Sequence, residues 1–325
     1  MISLLLASLF TLIELNCENL FDTRHDSLKN DTEFLPEGSH HWTRTRYWHK
    51  LNDIGREIIA LGDDSAGWRL PDVVAMCEVE NDSVMYDLTK RSLLRKARYE
   101  YLMTDSPDER GIDVALMYNP VTFRPLSHHA IRIPLLPDMR PTRDILYVAG
   151  LVGGGRPPPP YPLLVGEADT LHLFVVHAPS RMGGERASRP FRLQVVRRLI
   201  TAIDSIRLLQ PDAQIILAGD FNDYADSPAL DSLYIHDMHN VSATARGANG
   251  ARGTYRFRGE WGSLDQIICS LSVAGKLVDC RIGDLPFLLE EDEKYGGVHP
   301  RRTYLGPKYQ RGFSDHLPLV ARFNL

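Results

Sequence analysis

A chain of 325 residues with 43% hydrophobic and 24% charged residues has ordinary globular composition, which excludes a disordered or fibrous protein. Its length suits one large α/β domain. The formal net charge of −5 excludes a general basic surplus for coating duplex nucleic acid, so any nucleic-acid contact would need a local basic patch.

Residues 1–9 form an apolar leader ahead of a single domain that we expect at 10–325. The leader lacks the basic beginning and the small-residue cleavage site of a signal peptide. It is also too short to cross a bilayer, and the sequence predicts no membrane span. We favour the cytoplasm as the compartment, with export by a truncated signal as the alternative.

Strand-like and helix-like segments alternate along the chain. Strands are predicted at 11–16 and 72–79, and amphipathic helices at 43–62 and 83–97, where apolar residues recur at helical spacing. The remaining predicted elements are strands at 111–120, 145–152 and 171–180, a helix at 184–207, and strands at 214–223, 262–270 and 317–323. Strands outnumber the helices needed for strict βαβ alternation, which favours packed sheets in a mixed α/β domain.

Two loops interrupt this series. The stretch GGGRPPPPYP at 153–162 predicts a hairpin tip, because proline removes strand hydrogen-bond donors and glycine loosens the chain. Residues 290–312 form a long, charged and aromatic loop that leads into GFSDHLPLV at 312–320. Long loops at strand ends often carry function.

Polar side chains recur at the end or the mouth of the apolar strands. These positions are Asn16, Glu18, Glu78, His177, Asp220, Asn222, Asp265, Asp315 and His316. Each alone fits a turn, a solvated strand end or a surface ion pair. Several carboxylates at one sheet edge would repel each other, and a cation would offset that repulsion. Hard oxygen ligands favour Mg²⁺ or Mn²⁺, with Ca²⁺ as an alternative, whereas no Cys/His cluster has the spacing of a soft-metal site.

Seven motifs resemble, in order, those of the endonuclease/exonuclease/phosphatase superfamily. They are LNCENLFD, VVAMCEVEN, RGIDVALMYNP, VVHAPSR, LAGDFND, SLDQIICS and GFSDHLPL. The chain is most similar to the bacterial branch whose first motif reads N-x-E-N-L-F-D. The resemblance implies an α/β fold, a four-layer αββα sandwich of two packed mixed β-sheets flanked by helices.

The resemblance also implies a role for each matching residue. The metal-holding positions are matched by Asn16, Glu18, Glu78 and Asp315. The catalytic positions are matched by Asp220, Asn222, His316, Asp265 and His177. In this scheme Asp220 aligns the attacking water, and His316 donates to a phosphoryl oxygen while Asp265 fixes its orientation.

Fold and chemistry leave the substrate open. Loop arginines suit phosphate groups, and a loop tyrosine could stack on a base; the candidates are Arg110, Arg181, Arg302 and Tyr304. The first hypothesis is a metal-dependent nuclease or phosphodiesterase. A phosphomonoesterase or a phosphoesterase of inositol phosphate or sphingomyelin headgroups is the alternative, and a non-catalytic binding protein on this scaffold is the third. The implied partner is a phosphoester substrate, with nucleic acid among the candidates.

Overall fold

The computed structural model describes residues 9–64, 67–153 and 170–325. The predicted leader at 1–9 lies outside the described residues except for residue 9. The predicted hairpin tip at 153–162 also lies outside them except for Gly153. Among the described helices, none combines the length and apolarity that crossing a bilayer would require.

Twelve strands of the described chain form two six-stranded sheets. In chain order they are β1 (Phe10–Leu20), β2 (Val73–Val79), β3 (Glu100–Met103), β4 (Asp113–Tyr118), β5 (Phe123–Ile131), β6 (Ile145–Val152), β7 (Thr170–His177), β8 (Gln214–Asp220), β9 (Met238–Asn240), β10 (Asp265–Ser270), β11 (Leu277–Ile282) and β12 (Leu319–Phe323). The first sheet has the order β11-β12-β1-β2-β4-β3, and the second has the order β9-β10-β8-β7-β6-β5. Short two-stranded hairpins pair Asp63–Asp64 with Gly67–Trp68, Tyr255–Phe257 with Glu260–Gly262, Leu289–Glu291 with Val298–Pro300, and Tyr304–Leu305 with Lys308–Tyr309.

Helices cover the outer faces of both sheets. They are α1 (Arg44–Leu61), α2 (Asp82–Tyr86), α3 (Glu185–Leu209) and α4 (Pro228–Ile235), whereas the short helix α5 (Leu271–Ala274) packs Val273 into the inter-sheet core. The Thr43 side chain caps α1 by accepting a hydrogen bond from the Arg46 backbone N–H. The apolar stripe of α1 packs on the first sheet, and that of α3 packs on the second sheet.

The core between the two sheets is built by strand alternation. Leu12 on β1 points into the layer shared with Leu173 and Ile216 of the second sheet, whereas Ile13 points out toward α1. Fully burying one such side chain is worth roughly 1.5–3 kcal/mol. Helix, sheet, sheet and helix layers follow one another, so the predicted αββα sandwich with two mixed sheets is confirmed.

The predicted helix at 83–97 is interrupted, and continuous helical periodicity was the wrong interpretation here. After α2, a π-helical turn runs over Asp87–Arg91 and a 3-10 turn over Leu93–Lys96. Ser92 lies at the break with extended backbone, where its hydroxyl donates to the Leu88 carbonyl and accepts from the Leu94 N–H. Serine side chains compete in this way with the hydrogen bonds of a helix.

Strand direction gathers the polar positions at one end of the sandwich. Because β1 and β2 are parallel, their carboxyl ends lie together, and the antiparallel β12 begins at the same edge. In the second sheet Asp220 ends β8 opposite His177 on the parallel β7 and opposite Asp265 on the antiparallel β10. The two edges face each other across the inter-sheet core.

Candidate active site

Left-handed backbone conformations aim three polar side chains at this edge. Glu18, Glu78 and Asn222 have φ angles of 47°, 62° and 50°. The pairing of β2 with β1 and with β4 shifts register at the first two of these positions. Such bulges re-aim side chains that strict alternation would send elsewhere. The conformation costs on the order of 1–3 kcal/mol per residue and clusters at functional sites.

His316 and Asp265 form a buried acid–base pair. The Nδ1 atom of His316 lies 2.8 Å from Oδ2 of Asp265, which also accepts a hydrogen bond from the Thr254 hydroxyl. A carboxylate only accepts, so Nδ1 carries the proton. Burial would lower the pKa of His316, but the charge and hydrogen bond of Asp265 outweigh it and raise that pKa well above its usual value. His316 is therefore a cationic donor.

Asp220 is held by amide groups. Its Oδ2 accepts hydrogen bonds from Nδ2 of Asn16 at 3.1 Å and from Nδ2 of Asn222 at 3.0 Å. Its Oδ1 accepts from the backbone N–H of Asn222 at 2.8 Å. Burial, followed by the charge of Asp265, raises the pKa of Asp220 to about 7. The carboxyl group is thus fixed in orientation and poised to exchange a proton near neutral pH.

His177 lies between the catalytic and the metal-type carboxylates. Its Nε2 is 3.7 Å from Oδ2 of Asp220 and 3.8 Å from Oε1 of Glu78. Burial, followed by the charges of Arg143 and Arg110, lowers the pKa of His177 well below its usual value. His177 is therefore a neutral imidazole, and its buried Nδ1 has no hydrogen-bond partner within the described ranges.

The four predicted metal ligands divide into two groups around Asn16. Glu18 and Asp315 lie against Arg302, whose Nη2 donates to Oδ2 of Asp315 at 2.7 Å and whose Nε is 3.6 Å from Oε1 of Glu18. Glu78 lies on the side of His177. Asn16 connects Glu18 to Asp220, since its Oδ1 accepts from the Glu18 N–H at 2.9 Å while its amide nitrogen donates to the Asp220 carboxyl group.

The oxygen atoms of Glu78 fit a hard divalent cation. Oε2 accepts from the Asn19 N–H at 2.8 Å, whereas no described residue donates a hydrogen bond to Oε1. Asp220, Asp265 and His316 also have metal-ligand types within 4.8 Å of one another. A cationic imidazole has no lone pair for a metal, so we interpret that trio as the acid–base group and Glu78 as the metal-binding carboxylate.

The predicted substrate-binding residues lie at different distances from the site. Arg110 lies at the site, with Nη2 4.0 Å from Oε2 of Glu78. Arg181 lies in the loop after His177, pairs with Glu185 at 3.2 Å and covers the Tyr224 ring at 4.4 Å.

The burial of Tyr304 contradicts its predicted contact with a substrate base. The Tyr304 ring is buried in the layer under α1, and its hydroxyl donates to the His40 carbonyl at 2.8 Å. It is a core residue, and its ring has no open face for a base. Arg302 contacts the predicted metal ligands themselves, as described above.

A cavity of about 380 Å³ has Arg110 among its lining residues. Arg143, Thr142, Pro179 and Phe191 line it, and Arg143 donates to the carbonyl of the residue after His177 at 2.7 Å. The cavity therefore adjoins the site and offers room for an organic group beside a bound phosphate.

Glu14 is a site residue that sequence reasoning missed. It is fully buried between the sheets, and neither of its carboxyl oxygens has a hydrogen-bond partner within the described chain; Oδ1 of Asp265 lacks one as well. Burial, followed by the charges of Asp265 and Asp220, raises the pKa of Glu14 well above its usual value. The sequence did contain one indication of this buried acid, because Glu14 is the single charged residue within the apolar run TLIEL.

Lys50 was missed as well. It is 1% exposed on α1, and its Nζ donates to the Thr303 hydroxyl at 2.6 Å and to the Phe313 carbonyl just before the Ser-Asp-His segment. Its Nζ also lies 3.9 Å from Oε2 of Glu18. A lysine three residues after Tyr47 on the apolar stripe of α1 was the signal, because it falls on the buried face.

Comparison with known proteins agrees with this fold. The model of the endonuclease/exonuclease/phosphatase family matches residues 11–324. No curated protein sequence matches the chain. A solved structure of a family protein from Bacteroides thetaiotaomicron is 14% identical, with 97% of each chain covered and a TM-score of 0.60.

Two further solved structures share the fold. A mannosyl-6-phosphatase from Bacteroides thetaiotaomicron is 13% identical over 96% of this chain and 98% of the other, with a TM-score of 0.56. A humanized D. rerio TDP2 is 16% identical over 98% and 99%, with a TM-score of 0.54.

Proposed function

The chain belongs to the endonuclease/exonuclease/phosphatase family, and from this premise we propose that it is a divalent-metal-dependent hydrolase of phosphodiesters, a nuclease or phosphodiesterase. One observation carries the proposal. Carboxyl oxygens of Asp220 and Asp265 and a ring nitrogen of His316 lie within 4.8 Å of one another, buried at the edge that also holds Glu78.

Asp220 is the group that would align and deprotonate water. Two amides and a backbone N–H fix both of its oxygens, so its orientation is set before substrate binds. A pKa of about 7 lets the carboxyl group accept a proton near neutral pH. Asn222, which donates to Asp220, would hold the phosphate or the attacking water beside this base.

His316 is the group that would stabilise the transition state. Its Nδ1 is committed to Asp265, which leaves Nε2–H as the donor to a phosphoryl oxygen. A fixed cationic donor in a buried site stabilises developing negative charge without reorganisation. His177, which is neutral, offers a second imidazole on the Glu78 side of the phosphate.

A divalent ion would be held at Glu78, where a carboxylate oxygen faces the site without a protein donor. Mg²⁺ and Mn²⁺ match these hard oxygen ligands best, with Ca²⁺ as an alternative. When bound, the ion supplies charge neutralisation at the phosphoryl oxygens.

Asp220→Asn and His316→Ala test the acid–base assignment. The kcat of each variant on a nitrophenyl phosphodiester should be about 10²–10³-fold lower than that of the native chain, while the far-UV circular dichroism spectrum stays the same. The exposed Arg258→Ala is a control that should retain activity. Near-native turnover by both site variants would contradict the assignment.

Removal of metal tests the cofactor. Exhaustive treatment with a chelator should abolish hydrolysis, and added Mg²⁺ or Mn²⁺ should restore it, because the charge at Glu78 would otherwise go unneutralised. Full activity in the chelator would overturn the metal requirement.

A phosphomonoester is the second candidate substrate, since one structure with this fold is a mannosyl-6-phosphatase. A panel would decide between the classes. It should contain single- and double-stranded DNA, abasic DNA, RNA, inositol phosphates, sphingomyelin, and nitrophenyl mono- and diesters. Higher kcat/KM on diesters than on monoesters supports the first candidate, and the reverse order supports the second.

A further inference from the structure

Arg302 lies inside the group of acidic side chains that the family resemblance assigns to metal. Its guanidinium reaches two carboxylates at once, Asp315 through a 2.7 Å hydrogen bond and Glu18 at 3.6 Å. The carboxylates draw it in, and their charges raise the pKa of Arg302 against the lowering effect of burial. The Arg302 side chain is held in place by its surroundings, since about two-thirds of its surface is buried.

The second carboxyl oxygen of Glu18 also has protein partners. Its Oε2 accepts a 2.5 Å hydrogen bond from the Thr303 N–H, and the buried Lys50 ammonium lies 3.9 Å from the same atom. When both carboxyl groups are ionised, the positive charges of Arg302 and Lys50 balance the two negative charges of Glu18 and Asp315. A divalent ion placed between them would meet the positive charge of Arg302 and Lys50 at close range.

Glu78 stands in a different environment. Its nearest cation, Arg110, is 4.0 Å away, is 42% exposed and donates its hydrogen bond to the Asn19 side chain. Glu78 can therefore take a metal ion without displacing a protein cation from a hydrogen bond.

We infer that Arg302 is a built-in cation of the site, which occupies the place between Glu18 and Asp315 so that the chain holds one divalent ion, at Glu78, and not two. The inference rests on the proposed metal-dependent function. It assigns Glu18 and Asp315 to holding Arg302, whose guanidinium edge is then available to a phosphoryl oxygen.

Counting the Mn²⁺ ions bound to the 325-residue chain tests this without an activity assay. Isothermal titration should give one Mn²⁺ per chain, and electron paramagnetic resonance should show the six-line spectrum of an isolated ion. Two bound ions, or the spectrum of a spin-coupled pair, would overturn the inference and leave the metal-dependent function intact. No bound ion at all would overturn both.

Variants of Arg302 test its part in the count. Arg302→Met should admit a second Mn²⁺ with at least a tenfold gain in affinity for that ion, because the carboxylates lose their cation. Arg302→Lys keeps the charge and should stay at one ion. Arg301→Met, at the neighbouring half-buried arginine, is the matched control and should also stay at one. A count of one in a folded Arg302→Met would contradict the assignment, and if that variant does not fold, the wild-type count still decides.

Discussion

At the scale of single residues, the site depends on partners hidden behind the reacting groups. Oδ2 of Asp265 is used by His316 and Thr254, whereas Oδ1, like both oxygens of the buried Glu14, has no hydrogen-bond partner among the described residues. The raised pKa of Glu14 favours its neutral form, which has a proton to donate, and the charge of Asp265 is among the causes of that shift. We therefore expect Glu14 to act on the reaction through Asp265, as a positioning residue.

Glu14→Ala should lower kcat by about 10–100-fold with little change in KM, since outer partners of site residues commonly have effects of this size. Glu14→Gln should restore most of kcat, because a glutamine amide can donate to the same Asp265 oxygen. Steady-state kinetics on a phosphodiester, with thermal unfolding as a check of the fold, measures both. Equal loss in the alanine and glutamine variants would speak against a hydrogen-bonding role.

The residue types of the site could be predicted from the sequence, and its backbone could not. Asp220, Asp265 and His316 sit at strand ends, where a polar residue beside an apolar run is visible by eye. The left-handed conformations of Glu18 and Glu78 could not be predicted in the same way. Neither residue is a glycine, and the bulges that contain them arise from pairing with other strands. Arg302 was visible as a phosphate-type arginine, but its distance to Asp315 depends on how a long loop folds back.

At the scale of elements, α1 carries charged groups on its buried face. Glu57 is 1% exposed, and its Oε2 has no hydrogen-bond partner among the described residues. Burial raises the pKa of Glu57 to about 8 from an ordinary value of 4.5, although Lys50 acts to lower it. The folded chain therefore binds this proton more tightly than the unfolded chain does.

The sign of the resulting pH dependence follows from linkage. The contribution of Glu57 to stability is fully present below about pH 4.5 and is lost as pH rises through 8. Glu57→Gln, which stays neutral, should gain stability relative to wild type between pH 5 and pH 9, by up to a few kcal/mol. Urea unfolding across this pH range measures the difference, and the exposed Glu37→Gln is the control. A difference that does not change with pH would show that Glu57 is ionised in the fold.

Hydrophobic periodicity predicted the central elements and failed at the edges. The strands β2, β6 and β8 are apolar runs buried on both faces, and each was predicted within a few residues of its bounds. The edge strands β3, β5 and β11 are partly exposed, and their apolar residues form only short or interrupted runs. Pairing with a neighbouring strand, which a local pattern does not record, makes them strands.

At the scale of the whole molecule, the site is a product of two sheets packing together. The first sheet supplies Asn16 and His316, and the second supplies their hydrogen-bond partners Asp220 and Asp265. Asn16 and Asp220 are 204 positions apart in sequence. Composition and periodicity contain no information about distances between the two sheets. The meeting of the two edges could therefore be predicted only from the resemblance of the ordered motifs to a known fold.

This two-sheet construction predicts that packing between the sheets controls activity more than packing outside them. Leu173 on β7 is buried in the inter-sheet layer, and Leu199 on α3 is buried in the outer helix layer. Each leucine-to-alanine change should cost roughly 2–5 kcal/mol of unfolding free energy.

Only Leu173→Ala leaves a cavity between the surfaces that hold the two halves of the site in register. A misplacement of about 1 Å can cost up to about 10²-fold in rate, so kcat of Leu173→Ala should fall by about tenfold or more while that of Leu199→Ala stays within about twofold. Both are measured well below the unfolding transition, where each variant is fully folded. Equal losses would mean that activity follows global stability, and the hydrogen bonds from Asn16 to Asp220 and from His316 to Asp265 would then hold their geometry independently of the core beneath them.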